Sequence, residues 1–213
     1  MTIIIHTLRL ETCLNQFQSN SMPKKTPPTL ETPRLLLRTP QPGDEIPLNQ
    51  AINRSLNELK QWMPWASDPR LETTAEFVTK AIVQWKTKNQ IEFPMVVIYK
   101  QNNKIIGGCG YNEHSDPQVP FYEIGYWLDT EYTGLGLATE LTIALTKYAF
   151  EAMKAARVQI CIQADNTKSI RVAEKCGFDL EARLHHYRLD CKTGKPADEL
   201  IYVRFNANKL ELT

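Results

Sequence analysis

A run of β-forming residues, Phe121 to Leu128, leads within a few positions into Thr133-Gly-Leu-Gly-Leu-Ala-Thr-Glu140. From there apolar residues recur at Leu137, Leu141, Ala144, Leu145 and Tyr148, a helical spacing. A strand that feeds two glycines at the start of a long helix restricts what the chain can build. The first-turn N–H groups of a helix have no internal partner, and the helix dipole adds partial positive charge at the same end. Glycines let an anion approach the backbone closely. Together these features predict a diphosphate-binding turn. Two common nucleotide signatures do not match. A P-loop needs Lys and Ser/Thr after the glycines, and they are missing. A dinucleotide fingerprint needs a third glycine, where Thr139 stands, and an acid roughly 20 positions on, where Gln159 and Gln163 stand. Taken alone, Gly-x-Gly is equally an ordinary glycine-rich start to a helix.

The rest of the chain supplies the context. Arg34 to Arg38 reads as a strand, and Pro42-Gly43-Asp44 turns into a helix with Leu48, Ile52, Ser55, Leu56 and Leu59 at helical spacing. Trp62-Met63-Pro64-Trp65 ends it, because proline cannot continue a helix. Thr73 and Glu76 form a capping-box pattern for a second helix with Val78, Ala81, Ile82 and Trp85 on one face. Phe93 to Tyr99 and Lys104 to Tyr111 form a hairpin about Gln101-Asn102-Asn103. Arg157 to Gln163 is a strand with Val158, Ile160 and Ile162 on one face. A short helix ends at Gly177, placed as a left-handed cap. Strands near Leu180 to Leu189 and Glu199 to Phe205 flank a turn at Lys192-Thr193-Gly194. This order predicts an α+β or mixed α/β domain rather than an alternating doubly wound sheet.

Composition excludes several classes. A formal net charge of +1 argues against a large nucleic-acid footprint. The five cysteines, Cys13, Cys109, Cys161, Cys176 and Cys191, are scattered and odd in number with no Cys-x-x-Cys pair. No disulfide framework or zinc site is expected, and a reducing, cytoplasmic compartment fits. No apolar run approaches the roughly 20 residues that span a bilayer. Ser19 to Thr32, rich in Ser, Pro, Thr and Lys, reads as a linker, so residues 1–30 are expected to be an extension, with Met22 a second plausible start. The domain is expected to occupy residues 31–208.

The glycine segment resembles the acyl-CoA pyrophosphate loop of the GNAT N-acetyltransferase superfamily. That loop reads Arg/Gln-x-x-Gly-x-Gly/Ala, and residues 133–138 supply Thr-Gly-Leu-Gly-Leu-Ala, with Thr133 where Arg or Gln is usual. Thr32-Pro-Arg-Leu-Leu-Leu-Arg38, Leu59-Lys-Gln-Trp-Met-Pro-Trp-Ala66 and Glu123-Ile-Gly-Tyr-Trp-Leu128 are similar to the RimJ/RimL branch, the ribosomal-protein N-terminal acetyltransferases. Asn166-Thr-Lys-Ser169 and Glu174-Lys-Cys-Gly-Phe178 match the next family segment. The resemblance covers about residues 31 to 206 and rests on the order and spacing of motifs that are individually weak.

The resemblance implies a mixed, mostly antiparallel sheet with a splayed central strand pair and helices on both faces. It implies acetyl-CoA as co-substrate, gripped by Gly134, Leu135, Gly136, Leu137, Ala138 and Thr139, with no metal. Backbone N–H groups near Trp127 and Leu128 are expected at the acetyl carbonyl. Glu123, sheltered by Tyr122, Tyr126 and Trp127, is the expected general base, and a structural ion pair is its alternative. Asn166 and Ser169 are expected at the pantetheine arm and sulfur. Many members protonate the leaving thiolate with a helix tyrosine, but Ala173 stands there, so Ser169 is the expected substitute; locally, it equally caps a helix. Trp62, Trp65 and Tyr126 are expected to border the acceptor. His185 and His186, adjacent in a strand, should face opposite sides and offer an alternative base.

The implied acceptor is a protein N-terminal amine. A polyamine, an aminoglycoside or a non-catalytic acyl-CoA sensor are the alternatives. Glu113, Asp116 and Glu123 do not form the acidic cluster a polyamine would want. A monomer and a homodimer are both compatible with the sequence.

Overall fold

Period-two alternation of apolar residues lets one sheet bury both faces. Leu35, Leu37, Met95 and Val97 join one buried cluster, while Val96, Ile98 and Ile105 join another on the opposite face. The computed structural model describes residues 28–87 and 90–211. The expected extension, with Cys13 and Met22, lies almost wholly outside the described residues.

The elements in chain order are β1 (Leu30–Glu31), β2 (Leu35–Arg38), α1 (Glu45–Arg54), α2 (Leu56–Leu59), α3 (Leu71–Gln84), β3 (Phe93–Tyr99), β4 (Lys104–Tyr111) and β5 (Phe121–Leu128). They continue with α4 (Leu137–Glu151), β6 (Arg157–Gln163), α5 (Thr167–Lys175), β7 (Asp179–Leu189) and β8 (Pro196–Arg204). The eight strands form one sheet in the order β1-β2-β3-β4-β5-β6-β8-β7, antiparallel except for the β5/β6 pair. Helices α4 and α5 contribute Leu137, Leu141, Leu145 and Ala173 to the first cluster. Helices α1, α2 and α3 contribute Leu48, Ile52, Leu59 and Val78 to the second. This is the mixed, mostly antiparallel architecture with helices on both faces that the family resemblance implies.

The central pair is where the sheet opens. β5 and β6 are in register only at Phe121–Arg157, Tyr122–Val158 and Glu123–Gln159. β5 stays paired with β4 as far as Leu128, and β6 stays paired with β8 as far as Gln163. Each strand follows its antiparallel neighbour, so the two halves of the sheet part after Glu123. Sheet twist carries them further apart with each residue.

Three local expectations are corrected. The first helix breaks at Ser55, whose hydroxyl is drawn away to donate to Asp129 Oδ1 (3.3 Å) and to accept the Thr130 N–H (2.9 Å). The Thr73/Glu76 capping box does not form, because α3 already begins at Leu71, and the Thr73 hydroxyl donates instead to Asp68 Oδ2 (2.8 Å). The regular strand alternation expected at His185 and His186 is interrupted. β7 is irregular between Leu184 and Arg188, and His186 has φ +53°. His185 Nδ1 and the His186 N–H both reach the Asp198 carboxylate at 3.0 Å. The Gly177 cap forms as expected, with φ +66°, the Gly177 N–H on Glu174 O and the Phe178 N–H on Ala173 O.

Candidate active site

The glycine turn is held open from behind. Gly134 (φ +78°) and Gly136 (φ +79°) are left-handed, a conformation that costs a side chain strain, and the space beside Gly134 is open. The Glu140 N–H is bonded back to Gly136 O at 3.1 Å. The amides of Leu137, Ala138 and Thr139 in the first turn precede that bond and have no intrahelical acceptor. Beneath the turn, Asp129 is fully buried and receives the Arg54 guanidinium (2.6 Å), the Ser55 hydroxyl and the Glu131 N–H (3.2 Å). Thr133 spends its hydroxyl on Thr130 O (2.9 Å), so it stabilises the turn and does not extend from it.

Arg34 is a contributor that sequence reading missed. It is distant in sequence, and its only signal was membership in the Thr32–Arg38 motif. Its Nη1 donates to Leu135 O (2.8 Å), and its N–H and Nε donate to the Glu140 carboxylate (2.9 and 2.6 Å). Glu140 is buried in the first turn of α4. Burial pushes its pKa up, but the Thr32 hydroxyl, the Arg34 amide and the Arg34 guanidinium outweigh that and hold it below the usual carboxylate value. Without that compensation, a carboxylate at this helix start would oppose an anionic ligand's remaining charge.

The gap between β5 and β6 is lined by backbone of known direction. Asn112 N–H bonds Glu123 O (2.9 Å), and Asp129 N–H bonds Ile106 O (2.7 Å). Hydrogen-bonded pairs alternate in an antiparallel ladder. Trp127, opposite Gly108, therefore points its N–H into β4. Tyr126 and Leu128 present theirs to the gap, so of the two amides expected at an acyl carbonyl only Leu128's faces it. At the far side, Asn166 Oδ1 caps α5 by accepting the Ser169 N–H (3.1 Å).

The side chains of β5 divide between two environments. Tyr122, Ile124, Tyr126 and Leu128 pack toward α4 and α5. Trp127 packs with the cluster under α1 and α3, and Glu123, an even number of residues away, shares its face. The shelter expected from Tyr122 and Tyr126 therefore does not reach Glu123. Its surroundings are polar: Asn112 Nδ2 donates to Oε1 (2.6 Å), while Gln159 Nε2 (2.6 Å) and Cys161 Sγ (3.1 Å) donate to Oε2. Glu123 is 5% exposed and has no ion-pair partner among the described residues. Burial, then the nearby Glu123 charge, pushes the Cys161 thiol up, so it remains protonated and a donor. Glu199 lies close by, buried and paired with Arg188 at 2.9 Å; burial raises its pKa, Arg188 opposes, and Glu123 adds to the rise.

The tryptophans sit on this same side. Trp65 lies 5.9 Å from Trp127 between ring centroids, and Lys192 Nζ lies 4.8 Å over Trp62. Between Trp62, Gln163, His186 and the β7–β8 turn is a recess of ≈ 470 Å³. Tyr126 is separated from Trp62 and Trp65 by the thickness of the sheet.

A glycine turn at a helix start, with a sheet that parts beside it, is the architecture of an acyl-CoA-dependent N-acyltransferase. The sequence profile of the acetyltransferase (GNAT) domain matches residues 34–179, and the chain belongs to that family. YdaF of Bacillus subtilis (strain 168) is 27% identical over 154 residues, 68% of this chain and 77% of YdaF. A ribosomal-protein-serine acetyltransferase of Escherichia coli (strain K12) is 28% identical over 138 residues, 65% of this chain and 75% of its own length. The solved structure of the microcin C7 self-immunity acetyltransferase MccE with acetyl-CoA and AMP has a TM-score of 0.74 at 24% identity, covering 82% of this chain and 94% of that one. RimL, an L7/L12 α-N-protein acetyltransferase solved with coenzyme A, has a TM-score of 0.75 at 23% identity, covering 84% and 99%. At those identities the two structures speak to fold. The protein is an acetyl-CoA-dependent N-acetyltransferase of GNAT type. Among the described residues no helix is long and apolar enough to cross a membrane.

The residues present suit that co-substrate. The two left-handed glycines and the acceptor-free first-turn amides form a cradle for a diphosphate, and the parted β5/β6 edge offers amides along a narrow arm. When bound, acetyl-CoA supplies the activated acyl carbon.

Proposed function

We propose that the acceptor is the N-terminal amine of a protein, with Glu123 as general base. The observation that carries this reading is a buried carboxylate, held only by neutral donors, on the acceptor side of the sheet at the residue where β5 and β6 part. Glu123 takes a proton from the incoming amine, directly or through one water. The Leu128 amide orients the acyl carbonyl, and Ser169, at the start of α5, lies on the cofactor side near the sulfur. Gly134 to Thr139 clasp the diphosphate, and Asn166 fixes the start of α5. Trp62 and Trp65 border the acceptor.

A peptide suits the recess better than a polyamine. Two of its three acids are already engaged, Asp198 by Arg183 (2.8 Å) and Asp190 by the Thr193 hydroxyl and N–H (2.7 Å each), and Asp165 by itself is no cluster. Lys192 and Lys195 add opposing charge. The name of the Escherichia coli relative, a ribosomal-protein-serine acetyltransferase, supports a protein acceptor. The test is thiol release from acetyl-CoA with a panel of peptides bearing different N-terminal residues, set against spermidine and an aminoglycoside. Turnover with peptides is expected. Turnover confined to the small amines would replace the protein acceptor, and acetyl-CoA binding without turnover on any acceptor would make the chain a sensor.

A further inference from the structure

We propose that Tyr126, reaching across from strand β5, is the hydroxyl that stabilises the leaving sulfur of acetyl-CoA, in the place where other members use a tyrosine from the helix. The proposal rests on the acetyl-transfer reading above and adds a catalytic residue to it.

Strand alternation carries Tyr126 to the α4/α5 face, away from Trp62, Trp65 and Trp127. It lies beyond Glu123, where β6 has left β5. Its phenol oxygen is buried and has no hydrogen-bond partner among the described residues. Buried polar atoms are nearly always satisfied, so an orphan at a ligand-binding gap calls for a partner in the ligand. Ser169 sits beside the phenol without closing a bond of good geometry, and Cys176 is close enough to act on it as well. Ser169 and Ala173 share one face of α5, and the capping residue Cys176 continues it by helical spacing. Ala173 is fully buried on that face and presents only a methyl group. The phenol from β5 thus lies along the face from which a side chain at 173 would otherwise project. Burial pushes the Tyr126 phenol up, with Ser169 opposing, so it stays protonated across the working range and serves as a standing donor.

In the transfer, the carbon–nitrogen bond forms as the carbon–sulfur bond breaks, and the electron pair of the broken bond stays on sulfur. The amine's proton passes to Glu123 and then to solvent. Tyr126 donates a hydrogen bond to the sulfur and keeps its own proton, and solvent protonates the departing thiolate. A donor aimed at charge that develops only in the transition state accelerates the step without tightening substrate binding.

The decisive experiment titrates coenzyme A bound to the full chain and reads thiolate absorbance in the ultraviolet, with desulfo-coenzyme A as the blank for protein phenols. The bound thiol of the wild-type protein should ionise at lower pH than free coenzyme A. Tyr126→Phe should raise that pKa by about one unit, the effect expected for losing one hydrogen bond to the charged form. With an active acceptor, the same variant should lower kcat about tenfold or more with KM for acetyl-CoA unchanged. A bound thiol that ionises no more readily than free coenzyme A, or a Tyr126→Phe variant with an unaltered bound-thiol pKa, would overturn the assignment. The titration needs no acceptor, so this result is separable from the choice between peptide and small amine.

Discussion

Glu123 and Glu140 are equally buried, at 5% and 3% exposure, yet they are solvated by opposite means. Glu140 meets a guanidinium, a backbone amide and a hydroxyl, and its charge is fixed as part of the scaffold beneath the glycine turn. Glu123 meets two carboxamides and a thiol, none of them charged. A cation locks a carboxylate in its ionised form. Neutral donors fix the position of Glu123 without supplying a counter-charge. The difference separates a carboxylate tied to a cation beneath the glycine turn from one with no cation beside it, the one proposed above as the base, and burial alone would not have distinguished them.

The comparison can be broken at either carboxylate. Glu123→Gln should retain the fold by circular dichroism and thermal melt while lowering turnover by about 10²-fold, the usual scale for a proton-transfer group. Full activity in this variant would return Glu123 to the scaffold class. Glu140→Gln should do the reverse. It should cost about 1–2 kcal/mol in denaturant unfolding, discounted because Arg34 is partly exposed and can turn to water. It should affect kcat little and mainly weaken acetyl-CoA binding.

The pH dependence follows from the sign of the Glu140 shift. Its folded pKa lies below its unfolded one, so its contribution to stability is complete above the ordinary carboxylate range near ~4.3. That contribution is lost as pH falls through the lower, folded value. Denaturant midpoints measured through the acid range should converge for the wild-type protein and Glu140→Gln. Persistence of the gap at low pH would contradict the shift. The smallest effect concerns Thr133. A cation there should improve acetyl-CoA affinity by a few-fold, since an exposed ion pair with the diphosphate contributes about 0.2–1 kcal/mol. Thr133→Arg, compared by calorimetry, tests whether Arg34 already supplies that charge, in which case the gain vanishes.

Much of this is legible in the sequence. The bounds of β3, β4, β5 and β6 coincide with their expected ranges, because alternating or continuous apolar runs between turn residues leave little choice of register. The glycine turn and the Gly177 cap were equally legible, since each needs a left-handed backbone that glycine supplies. The break at Ser55 was hidden, because its cause is a hydroxyl used by Asp129, 74 positions away. Arg34 was hidden for the same reason, being 106 residues from Glu140. The family resemblance pointed to Glu123, but not to Asn112, Gln159 and Cys161, which hold it from 11, 36 and 38 positions distant.

Local patterning by itself determined the central strands, the long helix α4 and the glycine turn at its start, because propensity and periodicity act over a few residues at a time. Only the tertiary structure decided what each polar group faces. Strand pairing sends the Leu128 amide into the gap and the Trp127 amide into β4. It sends Glu123 to one side of the sheet and Tyr126 to the other. The energy of a buried charge or hydroxyl depends on partners that the chain brings in from afar.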